Sequence, residues 1–139
     1  MGRQAETRET DVVRLAPEED GDVIWFTGPV SLEDSNLSED LIREVEEWER
    51  FFHSHLKHGQ YVVVAESMPH FKEEGIRLAR RLANEIGSTF VVEFVPDERH
   101  PSPRRFRSAG RPTNAAAARV FSALAAQDEN DGWTIGLSS

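Results

Sequence analysis

The sequence predicts an α/β fold: one domain in which a mainly parallel or mixed sheet of three to five strands is covered by amphipathic helices. Three observations carry that expectation. Apolar, β-branched and aromatic runs at 22–27, 61–65 and 89–95 read as strands. Between them, two stretches place apolar residues at steps of three and four, the period of a helix with one buried side. The 139 residues are enough for one core without staples, and there is no cysteine to staple with.

The N-terminal stretch 1–11 is polar and expected to be flexible. Val12-Val13-Arg14-Leu15 reads either as a short edge strand or as more of the tail. If it is a strand, the turn residues Pro17 to Gly21 join it to the next one as a hairpin. Asp22 to Thr27 is a strand ended by Gly28-Pro29. Its apolar residues are consecutive rather than alternating, which predicts a place away from the sheet edge.

Ser38 caps a helix over 39–57, with Glu39 and Asp40 complementing the dipole in its first turn. Leu41, Ile42, Val45, Trp48, Phe52 and Leu56 form its apolar stripe, and Phe51 lies off centre. Tyr61 to Ala65 predicts a second central strand. Pro69 then enters the first turn of a helix ending at Gly87, a position suited to a positive φ. Phe71, Gly75, Leu78, Ala79, Leu82 and Ile86 mark its buried side. Gly75 costs a helix interior about 1 kcal/mol relative to alanine, which a close approach by a neighbouring element would explain. Thr89 to Val95 is the third strand and completes a β-α-β-α-β core over 22–95.

Segment 96–112 holds Pro96, Pro101, Pro103 and Pro112 and fits no regular element, so an irregular basic loop is expected. Thr113 or Asn114 caps a C-terminal helix that runs to about Ala126. Asp128 to Gly132 ends it, and Trp133 to Leu137 adds a short strand or an extended tail.

Charge is segregated. Asp and Glu total 25 and Lys and Arg total 16, a net charge of -9. Such a surface repels nucleic acid and anionic lipid overall. Yet Arg99, Arg104, Arg105, Arg107 and Arg111 lie in a stretch with no acid, leaving 11 basic residues elsewhere. This stretch is the candidate binding segment, for an acidic protein partner or for a phosphate backbone. Its plain alternative is a solvated loop paired with the chain's own acids.

Catalytic signals are sparse. Glu66 ends the second predicted strand and His70 follows on the next turn, the best pair for a strand-end cleft. Otherwise Glu66 is an acidic strand end and His70 a helix-entry residue. His53, His55 and His58 do not share one helical face and lack HExxH spacing, so no metal site is expected. Neither GxxxxGK[ST] nor GxGxxG occurs, and no cofactor is expected. No signal peptide or membrane-length apolar run is present, which makes the cytoplasm the expected location.

The stretch Glu74 to Gly87, read with Leu37-Ser38 and Trp48, resembles small uncharacterised actinobacterial α/β proteins. In these a Leu-Ser helix start precedes a tryptophan-containing helix, an EGxxLAxxLxxE(L/I)G helix and a strand. The resemblance spans about residues 37–95. It implies an accessory or immunity-type partner protein and carries no assigned chemistry. The expected function is therefore a non-enzymatic protein-interaction role. A small hydrolase or transferase built on Glu66 and His70, and nucleic-acid binding through 99–111, are the alternatives.

Overall fold

The computed structural model describes residues 11–17, 22–57, 63–96 and 103–138, with side chains described as far as Gln127. Within these the fold is α/β. Strands β1 (Val12–Leu15) and β2 (Ile24–Trp25) precede helices α1 (Glu39–Ser54) and α2 (Met68–Ile86). Strands β3 (Val91–Phe94) and β4 (Arg104–Phe106) follow, and helix α3 (Ala115–Ser138) comes last. One mixed sheet has the order β2-β1-β3-β4. β1 and β3 run parallel, and each has an antiparallel neighbour on its outer side.

Val12–Leu15 is thus an interior strand, not an edge. Val13 and Leu15 are fully buried and lie opposite Val92 and Phe94. Nothing local announces this, because the parallel partner is some 80 residues away in sequence. The hairpin to β2 forms as expected, with Ala16 N–H donating to Val23 O at 2.9 Å.

β2, by contrast, is two residues long and sits at the edge. The chain folds back straight after Trp25. Phe26 N–H donates to Gly28 O at 2.7 Å, Thr27 adopts φ 58°, and Pro29 bridges to Trp25. The consecutive apolar run at 22–27 has another cause. Phe26 packs edge-on to Phe90 at 5.6 Å and against Phe121 of α3 at 5.8 Å. Helix contacts, not strands on both sides, bury it.

The expected strand at 61–65 does not join the sheet. Tyr61 and Val62 lie outside the described residues. Val63 makes an isolated bridge to Leu56, and Val64 N–H donates to His55 O at 2.8 Å. Ala65–Ser67 is already a 3₁₀ turn leading into α2. The segment closes a helix hairpin, so α1 and α2 follow one another with no sheet strand between them among the described residues.

α2 lies against the sheet face carrying Val13, Leu15, Val92 and Phe94, flanked by α1 and α3. Gly75 marks the closest approach. A Cβ there would fall against the Phe94 ring and 2.9 Å from Trp48 Cζ2. Trp48 stacks on Phe71 at 4.8 Å and 6°, and its indole N–H donates to Phe71 O at 3.0 Å. Offset aromatic pairs of this kind add about 1 kcal/mol to their area burial. Gly87 takes φ 89° and its N–H donates to Ala83 O, ending α2 as its sequence predicts.

A buried carboxylate ties the three helices together. Glu85, on the last turn of α2, accepts the Ser38 N–H at 2.9 Å and the Ser38 O–H at 2.5 Å. It also accepts Asn114 Nδ2–H at 2.9 Å. Ser38 Oγ caps α1 by accepting Leu41 N–H, and Asn114 Oδ1 caps α3 by accepting Ala117 N–H. The charge therefore sits by two positive helix ends. α3 runs on to Ser138, past the expected stop at 128–132. No proline interrupts it there.

A second carboxylate joins α1 to α2 at the surface. Glu44 receives Arg77 and Arg81, each at 2.5 Å. Its pKa lies below the ordinary glutamate value, chiefly because of the Arg77 hydrogen bond, with burial opposing and Arg81 adding.

Two outcomes are expected. Gly75→Ala should lower stability by about 1–3 kcal/mol in urea denaturation, because overpacking against Phe94 and Trp48 outweighs the gain in helix propensity. An unchanged or raised midpoint would contradict the close approach. Because the Glu44 pKa is depressed on folding, its contribution is present above the unfolded value and is lost as pH falls through the folded one. Glu44→Gln should therefore flatten the fall in melting temperature below about pH 4.5, and a parallel acid limb would count against this.

Candidate functional site

The basic segment leads to the exposed edge of the sheet, where β4 positions its arginines. Arg104 to Phe106 pair antiparallel with Val92 to Phe94, although the segment reads as irregular in sequence. Pro103 directly precedes the strand, a place that an edge strand permits.

Strand alternation sorts the side chains. Phe106 lies opposite Val92 on the helix-covered face and packs, half-buried, against the core. Arg105 lies opposite Glu93 on the other face, in a row that continues through Arg14 to Trp25. Glu93 is buried, its side chain 7% exposed. It receives Arg105 at 2.9 Å and Arg14 at 3.3 Å. A buried carboxylate needs such partners, so Arg105 and Arg14 are committed to holding β4, β3 and β1 together. Arg107 donates to Ser88 O at 2.6 Å and anchors the chain after β4.

Arg104 is different. It is exposed, with its guanidinium carbon 5.7 Å from the Phe106 ring centroid. Arg80 of α2, also exposed, lies 5.3 Å from the same centroid. Arg111 is exposed on the loop before α3. Arg99 and His100 lie outside the described residues. The structure thus brings Arg104 together with Arg80, which the sequence places only on a wet helix face. The pairing of β4 with β3 was the missing link.

Glu66 sits exposed in the 3₁₀ turn, and His70 is exposed on the first turn of α2. No hydrogen bond or ion pair joins them. The His70 ring instead lies 4.9 Å from Phe51, whose other neighbour is His55, stacked at 4.0 Å. Phe51, off centre on α1, thus packs on the rim of the core and beside both histidines.

A shallow, open depression on α1 is lined by Glu49, Arg50, His53 and Ser54. Burial raises the Glu49 pKa, aided by Asp22 and Glu46 and opposed by His53, whose Nε2 is 3.7 Å away. Among the described residues no group of three or more His, Asp or Glu side chains is placed to hold a metal ion. No helix among them is long and apolar enough to cross a membrane.

The fold is thus a small mixed sheet backed by helices, with charged side chains at its rim. Residues 11–97, from β1 through β3, match the Serratia CdiI immunity protein-like family, and the chain belongs to it. No curated protein matches the sequence. β4 and α3 lie beyond the matched residues.

The Glu93 clamp has a measurable signature. Arg105→Gln should cost about 1 kcal/mol, since Arg14 remains and Arg105 is 57% exposed. Arg14→Gln with Arg105→Gln strands a buried charge and should cost about 3 kcal/mol, more than the two single losses together. Strictly additive losses in urea denaturation would exclude a shared clamp.

Proposed function

We propose that the chain is a non-enzymatic immunity protein that silences a protein toxin by binding it. The observation that carries this reading is the family match over 11–97, well over half the chain. An immunity protein acts by occupancy, so it needs a stable surface and no reacting groups of its own. The rigid aromatic core and the charge-pinned sheet edge suit that task. The basic segment 99–111 is the part proposed to meet the partner, with its exposed arginines offering charge-assisted hydrogen bonds to carboxylates.

Binding to the folded state alone also stabilises it by mass action. Co-expression with its cognate toxin should restore growth of a sensitive host. The two proteins should co-purify, and the melting temperature of the chain should rise in the complex. Continued growth arrest with the chain abundant and folded would refute the reading.

A further inference from the structure

We propose that Arg80, Phe106 and Arg104 together form a receptor for an acidic segment of the partner protein. The assignment takes its partner class from the immunity reading and adds where and by what chemistry that partner is held.

The two guanidinium groups lie over one aromatic ring, at 5.3 and 5.7 Å from its centroid. Cation–π attraction holds each at about 0.5–1 kcal/mol at an exposed site. The ring itself is fixed, since Phe106 is in register with Val92 and packs on the core. Two like charges are thus gathered at one place. Among the described residues neither is paired with an acid. Arg14 and Arg105 share Glu93, Arg77 and Arg81 share Glu44, and Arg43 takes Asp40. A carboxylate supplied from outside would relieve the repulsion and gain charge-assisted hydrogen bonds from both arginines. Arginine and aromatic residues in such a setting are the usual anchors of protein interfaces.

The occupant is a short acidic stretch of protein rather than a nucleic acid or a second copy. A nucleic acid backbone must neutralise several phosphates along an extended track. The cationic locus here is one strand wide on a chain of net charge -9. That charge also opposes association with a second copy. A short acidic segment engages the pair locally, within a screening length of about 8 Å at physiological salt. Arg104 and Phe106 lie beyond the family-matched residues and Arg80 within them, so the receptor spans the end of the matched region.

The test is fluorescence anisotropy at low salt with the full chain and three ligands: a labelled peptide of alternating Glu and Gly, its Gln counterpart, and oligo-dT. The Glu peptide should bind and the Gln peptide should not. Arg80→Gln with Arg104→Gln should weaken binding at least about tenfold with the melting temperature lowered by no more than a few degrees, while Arg43→Gln should leave binding intact. Equal binding by the double variant, no binding of the Glu peptide, or tighter binding of oligo-dT would overturn the proposal. So would self-association in sedimentation that the double variant abolishes. A toxin neutralised equally well by the double variant would sink the receptor and spare the immunity reading. A toxin untouched by the unaltered chain would sink that reading, and the peptide titration would still decide the receptor.

Discussion

Three helix ends meet at the carboxylate of Glu85, and the arrangement of the helical layer depends on it. The N-termini of α1 and α3 each leave backbone donors without intrahelical partners. Ser38 uses its one hydroxyl for both tasks, accepting Leu41 N–H and donating to Glu85, whereas Asn114 caps with Oδ1 and binds Glu85 through Nδ2. The carboxylate satisfies its own lone pairs while fixing two caps. Its position on the last turn of α2 is poor for α2 alone, where the dipole disfavours negative charge. There it faces the N-termini of α1 and α3, whose dipoles favour it. Burial of Glu85 to 7% exposure makes the arrangement specific, because leaving any of its donors unpaired costs about 1–3 kcal/mol.

Above this junction the core is organised by one missing side chain. Gly75 lets the Phe94 ring and Trp48 approach the α2 backbone, so that α1, α2 and β3 share one aromatic cluster. A separate aromatic group, Phe26, Phe90 and Phe121, docks α3 against the turn after β2 and the entrance to β3. The two clusters lie at opposite ends of α2, which explains why this helix runs through the whole hydrophobic layer. The exposed sheet rim owes its geometry to Glu93 in the same way, since the clamp fixes β4 and thereby sets Phe106 beneath Arg80 and Arg104.

The α/β class, both long helices, the caps at Ser38 and Gly87 and the tight packing at Gly75 were all legible in sequence. Each depends on local periodicity or on a residue with a distinctive conformational role. The strand assignments at 61–65 and the place of 12–15 were not. A run of valines records burial, and a helix hairpin can bury it as well as a sheet can. A four-residue parallel strand gains its identity from a partner far along the chain. The site was half legible for the same reason. The arginine cluster was visible, but which arginines are committed inward follows from strand register. Register gives Arg105 to Glu93 and leaves Arg104 beside a residue of α2.

The contact of α3 with the end of α2 sets an order of assembly. Thr113 N–H donates to Asn84 O and Asn114 N–H to Glu85 O, so the start of α3 completes hydrogen bonds that the end of α2 leaves open. During synthesis, β1 through β3 are made before Asn114. At that stage Glu85 has Ser38 alone as its buried partner, and Phe26 and Phe90 have no Phe121 to cover them. The last helix is therefore a clasp, closing both the polar junction and the second aromatic cluster of the layer it covers.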